Sequence, residues 1–524
     1  MKKIRVKNVR SLKDTKDIDI KSINVLVGNN SSGKSTFLRI FPLFKQSFAR
    51  RIKGPILWVG DDSNDVDFGS FEETKTKYAN QKDNTKDIEF DFTMKYSLLD
   101  IIRNGIDTTL FLNEDNYENI MEKAIIKIGI NNKDSNDFIS KICLKTKNDT
   151  IIIGDDENCV TLNEHKIELL NDDGKRKDVI RNVGLLDDAF SVFTKQELSR
   201  YRIMDNFINK VFGQEIIQDF TLKFLLKELI YKMALDYFIE GNNFNIDMTI
   251  NRYREKIESK TGLFEEFDKI DISRNIKEAI KENLDILKLL FLSLVVNHCI
   301  VYLKNYFLNV NYIKPVRAHA ERYYRLRNLS VDEIDSDGKN LPMFINSLSK
   351  TDFNRYNKWL LENFGFKIDK RTISGHVSLN INVNNNSVNL SDCGYGYSQL
   401  LPITTQLWVA MEKGVKNSPI VFAIEQLELH LHPEMQAKLI DIIAKVANEY
   451  KGKIQFILET HSETIINRLG NLIYKGKISK DDVNVIIFNK SYQDDFTKIK
   501  TSYYDSQGYL VNWPLGFFSV EDIK

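Results

Sequence analysis

The stretch Gly28-Asn29-Asn30-Ser31-Ser32-Gly33-Lys34-Ser35-Thr36 constrains this chain more than any other. It follows a β-branched run, Ser22–Val27, and opens a segment of helical character from Lys34. That is the strand, loop and helix context in which the pattern GxxxxGK[ST] grips phosphate. Glycines let the loop turn its backbone N–H groups toward phosphate oxygens, and a helix start adds partial positive charge. On this reading residues 28–36 cradle ATP, Lys34 reaches the terminal phosphates and the Ser35 hydroxyl ligates Mg²⁺.

Such a loop needs an acid at the end of a neighbouring strand to hold Mg²⁺ through water. Ile420-Val-Phe-Ala-Ile-Glu425 is an apolar run ending in a carboxylate, so Glu425 is the expected metal acid. Gln426 then stands where a water-activating carboxylate is usual. A neutral amide orients water but takes no proton, so either hydrolysis is slow or Glu428, the nearest carboxylate, serves as base. His461 follows the next apolar strand, at the carboxyl edge of the same sheet, where ligands bind in open α/β folds. There it is placed to touch the γ-phosphate, the alternative being a plain surface or core histidine. The turn Asn389-Leu-Ser-Asp-Cys-Gly394-Tyr-Gly396-Tyr-Ser398 opens an apolar helix. It offers N–H groups and the Ser398 hydroxyl to a second nucleotide across a dimer, or it is a helix cap and no more.

Around these motifs the chain divides. From about 88 to 170, runs such as Ile88–Met94, Ala124–Ile130 and Thr150–Ile153 alternate with Asn/Asp/Gly turns and predict antiparallel strands. Between about 190 and 310 the spacing becomes helical, as in Phe220–Ile230 and from Ile276 onward, without sustained heptads. From 376 strands return, at Val377–Val383, Pro419–Ile424, Ile454–Leu458 and Val483–Phe488, with helices between them. The expected fold is therefore α/β, divided into an N-terminal lobe (1–175), a helical insertion (176–310) and a C-terminal lobe (311–524).

The charge balance, 74 basic against 73 acidic side chains, supplies no global attraction for nucleic acid or anionic lipid. Four cysteines without CxxC spacing argue against a zinc knuckle or a disulfide framework. The longest apolar stretch, Leu289–Val296, is too short to span a membrane, and the first residues carry no apolar signal core, so a cytoplasmic protein is expected.

Taken together, Gly28–Ser35, the Gly394/Gly396 turn, Glu425-Gln-Leu-Glu-Leu-His-Leu-His-Pro433 and Thr460-His461-Ser462 resemble the ABC/SMC-like group of AAA-family P-loop ATPases. Asp67–Phe71, Ile313–Arg317 with Arg322–Tyr324, and Gly508–Phe518 extend the likeness; residues 100–310 carry none of it. The resemblance implies an ATPase head, a mixed sheet flanked by helices plus an antiparallel β-layer, that dimerises around ATP. It further implies an anti-phage role, as in the overcoming-lysogenisation-defect family, the Septu ATPase PtuA and the PARIS ATPase AriA. Residues 462–524 are too few for a Toprim domain, so a separate effector subunit, an HNH or Toprim nuclease, is expected, with a phage-derived trigger or DNA as a further partner. The chain departs from the ABC pattern in lacking LSGGQ and a glutamine near Phe68–Phe71. Two rival functions remain open, a RecF-like DNA-repair ATPase and a nucleotide-locked scaffold without turnover. The basic cluster Arg317, Arg322, Arg325 and Arg327, interleaved with Tyr323 and Tyr324, is either a nucleic-acid or partner surface or a paired, solvated face.

Overall fold

The structure, a computed structural model, describes residues 1–60, 66–78, 86–97, 121–133, 135–154, 159–168, 248, 284–326, 331, 333–384, 386–414, 418–491, 493–514 and 517. Two compact units result: Met1–Arg51, Ile56–Ile88 and Lys304–Lys524 in the first, Ile52–Pro55 and Glu89–Leu303 in the second.

The first unit opens with β1 (Lys3–Val9), β2 (Leu12–Asp14) and β3 (Ile18–Asp19), where β1 pairs antiparallel with both of the others. Next come β4 (Ile23–Gly28), helix α1 (Lys34–Ala49) and a single turn, α2 (Phe71–Thr74). Ser70 and Glu73 close a reciprocal capping box at the start of α2.

In the second unit β5 (Ile88–Ser97), β6 (Met121–Lys133), β7 (Asn136–Lys145), β8 (Thr150–Ile153), β9 (Cys159–Leu162) and β10 (His165–Glu168) lie side by side in chain order. Each pair from β6 to β10 is antiparallel, as the alternation of the sequence predicts. Phe90, Phe92, Met94 and Tyr96 fall on one buried face of β5, which is what a period of two produces. This layer, which the sequence reading assigns to a lobe spanning 1–175, falls in the compact unit that runs to Leu303. The helical runs expected at Phe220–Ile230 and Ile276–Ile280 lie outside the described residues. The described part of the insertion is Met248 and residues 284–310, most of them in α3 (Leu284–Leu308), which contains the apolar stretch Leu289–Val296. Among the described residues no helix is long and apolar enough to cross a membrane.

The remainder of the first unit is β11 (Val310–Ile313), β12 (Tyr324–Arg325), α4 (Leu341–Ser347), α5 (Lys350–Phe364), β13 (Lys367–Ile373), β14 (His376–Val383), β15 (Asn386–Asn389), α6 (Tyr395–Lys413), β16 (Ile420–Ile424), α7 (Pro433–Glu449), β17 (Ile454–Glu459), α8 (Glu463–Tyr474), β18 (Val483–Asn489), β19 (Lys498–Tyr504) and β20 (Leu510–Val511). Its central sheet runs β11-β16-β17-β4-β18-β19-β20. The five strands from β11 to β18 are parallel, and the last two pairings are antiparallel. A smaller antiparallel sheet joins β12, β14 and β13, with β15 on the other edge of β14.

Every residue of β4 and β17 is buried, the mark of parallel strands covered on both faces. Ile23, Val25 and Val27 share one core with Phe456, Leu458, Val485, Ile487 and, from α7, Leu439 and Ile443. Phe37 of α1 meets Phe488 of β18 at a ring separation of 5.7 Å, fixing the helix over the sheet. Pairing of Gly28 with Phe488 ends the β4–β18 ladder where the loop begins. A β-carbon at Gly28 would stand 2.0 Å from the Phe488 carbonyl oxygen, and φ there is +149°. Gly28→Ala should therefore cost on the order of 2–4 kcal/mol and lower the melting temperature by several degrees. An unchanged melting curve would contradict the close approach.

Candidate functional site

The loop that follows β4 is braced from behind. Thr497 donates its hydroxyl to the Ser32 carbonyl at 2.8 Å and its backbone N–H to the Ser11 carbonyl at 2.9 Å. Ser31 and Gly33 take the left-handed region (φ 60° and 96°), which turns the chain sharply into α1. Asn29, Asn30 and Ser31 are exposed at the tip, Thr36 is half-buried, and the Ser32 hydroxyl is buried without a partner. Lys34, only 3% exposed, donates to the carbonyls of Gly28 and Asn29 at 2.9 and 2.8 Å. Burial holds its ammonium below the ordinary range, opposed by the charges of Glu459 and Glu428.

The acids arrive on β17, which pairs with β4, and on β16, one strand further out. Glu425, just past β16, is 2% exposed and fully engaged. Its Oε1 accepts from Arg39 Nε at 2.7 Å and from the Tyr312 hydroxyl at 2.6 Å, and its Oε2 accepts from Arg39 Nη2 at 2.8 Å. The same bonds push the Arg39 guanidinium well above its usual range, and burial raises the Tyr312 phenol likewise. The Ser35 hydroxyl meets a different carboxylate, donating to Glu459 Oε1 at 2.9 Å. The sequence reading places Ser35 and Glu425 around one Mg²⁺; the Ser35 hydroxyl here donates to Glu459, because β17 lies between β16 and β4 and sets Glu459 opposite Leu26.

Gln426 is half-buried with φ 44°, a left-handed conformation for a residue with a side chain. Glu428 accepts from the Thr460 hydroxyl at 2.6 Å and from the His461 backbone N–H at 2.8 Å, so both of its oxygens shape the turn after β17. His461 is exposed at that sheet edge. Partial loss of water contact first, and the Lys34 charge second, hold its imidazole below the ordinary range, with Glu428 opposing.

Gly394, at φ 72°, begins α6 and is a helix cap. Ser398 is buried and donates to the Tyr395 carbonyl at 2.8 Å, its hydroxyl committed to its own helix. Gly396 lies against the His430 backbone, and no described hydrogen bond joins this turn to residues 28–36. The basic cluster does not form one surface. Arg317 is buried with Nη2 on the Glu425 carbonyl at 3.3 Å, Arg322 pairs with Asp392 at 2.8 Å, Arg325 is exposed on β12, and Arg327 lies outside the described residues. No group of three or more His, Cys, Asp or Glu side chains placed to hold a metal occurs among the described residues. A metal here would draw its remaining ligands from phosphate and water, as Mg²⁺ usually does.

A family model described as an AAA ATPase domain matches residues 1–466. The chain belongs to this AAA ATPase domain family. A search of the curated proteins returns no match. Among solved structures, the chain is similar to an SMC head bound to the C-terminal winged-helix domain of ScpA, at 11% identity and TM-score 0.32, covering 95% of this chain and 97% of that one. It is also similar to an SMC head domain from Thermotoga maritima, at 10% identity and TM-score 0.31, with the same coverage.

Three residues of this cluster escaped the sequence reading: Glu459, Arg39 and Tyr312. Glu459 sits two positions before His461 and ends an apolar strand as Glu425 nearly does, a signal that was available. Arg39, one turn beyond Ser35, and Tyr312 become visible only once the strands are ordered. Two outcomes follow. Arg39→Ala strands a buried carboxylate and should destabilise the fold by about 3–5 kcal/mol, partly recovered by adding Glu425→Gln, as melting curves will read. Glu459 is pushed up to about 7, by burial first and the Glu425 charge second, against the Ser35 hydrogen bond, Lys34 and Arg39. A raised folded-state value favours the fold below the ordinary carboxyl pKa of 4.5 and loses that contribution as pH climbs through 7. Without nucleotide or metal, wild type should therefore lose stability relative to Glu459→Gln between pH 4.5 and 7, and parallel melting curves would contradict it.

Proposed function

We propose that this AAA ATPase binds and hydrolyses ATP as a regulatory subunit of a prokaryotic anti-phage complex, dimerising through nucleotide-bound heads and controlling a separate nuclease effector. The observation that carries the ATP part is the convergence of Lys34, Ser35 and two buried carboxylates at the carboxyl ends of β4, β17 and β16. Parallel α/β sheets bind ligands at this edge. The partnerless Ser32 hydroxyl and Glu459 Oε2 fit a triphosphate with Mg²⁺, since each is a buried polar atom that such a ligand would satisfy. The defence part and the effector rest on the resemblance of the Glu425–Pro433 run and its companion motifs.

In this reading residues 28–36 wrap the phosphates, Lys34 meets the terminal ones, and Ser35 with a strand-end carboxylate holds Mg²⁺. The ion supplies charge neutralisation on the phosphates as their bond to the leaving group breaks. Gln426 orients water, and His461, kept neutral, senses the γ-phosphate. The Gly394, Gly396 and Ser398 turn would face a second head. Glu428 is occupied by Thr460 and His461, so it holds the turn and is a poor proton acceptor for water. That occupancy favours slow turnover, and with it the nucleotide-locked scaffold as second reading.

Lys34→Ala should weaken binding of a fluorescent ATP analogue more than tenfold, and wild type should double its mass with ATP in light scattering. Gln426→Glu should raise phosphate release. Equal analogue binding by wild type and Lys34→Ala would overturn the ATPase reading.

A further inference from the structure

Glu425 is the acid that the sequence reading gives to Mg²⁺, a place that P-loop ATPases usually fill with the shorter aspartate. Glutamate carries one more rotatable bond, so its carboxylate is held still only by contacts outside its own side chain. The fold supplies them from two directions. Arg39 Nε and Nη2 each reach one oxygen, at 2.7 and 2.8 Å, and the Tyr312 hydroxyl adds a second donor to Oε1 at 2.6 Å. An ionised carboxylate offers about four acceptor positions. Among the described residues three of them are filled, and the one left open is on Oε2. With the residue only 2% exposed, the carboxylate has no room to turn and offer both oxygens to a cation. A single open lone pair suits instead a hydrogen bond from a metal-bound water, and Mg²⁺ keeps several waters when it binds.

The same contacts refer Glu425 to the loop. Arg39 lies four residues beyond Ser35 in α1, and residues so spaced are neighbours on one helix face. Tyr312 stands on β11, whose Ile313 carbonyl accepts the Glu425 backbone N–H at 3.0 Å. The end of β16 is thereby tied to the helix turn that carries Ser35.

We propose that Arg39 and Tyr312 are positioning residues for the metal: they hold Glu425 so that its one open acceptor position, on Oε2, takes a water of the nucleotide-bound Mg²⁺. Both act through Glu425 and not on the nucleotide. The proposal rests on the ATPase reading above and adds to it the two side chains that let this chain use a glutamate at that place. A guanidinium is required and not merely a cation, because its planar fork fills one position on each oxygen, whereas an ammonium is a single point charge.

The test measures the affinity of the full chain for a fluorescent ATP analogue in Mg²⁺ and again in EDTA, with melting curves to show that each variant is folded. Wild type should gain at least tenfold from the metal, and Glu425→Gln should lose most of that gain. Tyr312→Phe and Arg39→Lys should each cut the gain at least threefold while keeping the affinity in EDTA. A clamp that served the fold alone would lower the melting temperature and leave the ratio of the two affinities untouched. An undiminished gain in either folded clamp variant, or in folded Glu425→Gln, therefore overturns the proposal. Tyr312→Phe removes one hydroxyl from an unchanged ring, so it decides by itself should Arg39→Lys fail to fold. Failure of the underlying reading looks different: the analogue would bind wild type and Lys34→Ala equally, with no metal effect in wild type, and the proposal would fall with it.

Discussion

The site depends on one backbone constraint, the parallel pairing of β4 with β17 on one side and β18 on the other. The loop at residues 28–36 has no rigidity of its own. It acquires rigidity because the strand that feeds it is clamped between two strands drawn from residues 454–489. The clamp also sets register. Leu26 falls opposite Glu459, and Gly28 opposite Phe488, so the loop leaves the sheet where an acid arrives from one side and a backbone carbonyl closes the other. Only glycine fits that second contact.

Charge is then sorted by distance from the loop. Nearest lie Lys34, held by two loop carbonyls, and the Ser35–Glu459 pair, whose Oε2 lacks a partner; next lies the Arg39–Glu425–Tyr312 cluster, saturated; behind it Arg317 holds the Glu425 backbone. A saturated cluster resists rearrangement, because breaking it leaves a buried charge alone. An under-satisfied one is ready to take a ligand that completes it. The gradient from locked to unfilled runs toward the loop, which is how a preorganised site differs from a structural ion pair. Glu428 belongs to the locked part, since its two acceptors fix the Thr460–His461 turn and leave the imidazole projecting at the edge.

Much of this could be read along the chain. The β4–loop–α1 unit, the strands at 420–424, 454–459 and 483–489, and the antiparallel alternation from 88 onward follow from local pattern, because period and turn chemistry act between near neighbours. The choice of acid did not. Glu425 and Glu459 look alike as strand-end carboxylates, and what separates them is the order of strands in the sheet, which has no local signature. The same holds for Ser398, whose hydroxyl turned to its own helix, and for Arg317, which lies inside while Arg322 finds Asp392.

Sequence alone thus determined that this protein carries a glycine-bearing loop between strand and helix, with apolar strands ending in acids far along the chain. Tertiary structure alone decided which acid faces Ser35, which is neutralised by Arg39, and where the second unit begins. The reason is physical: short-range propensity specifies elements, whereas the partner of a buried charge is set by which strands lie side by side, and that is an outcome of packing the whole core.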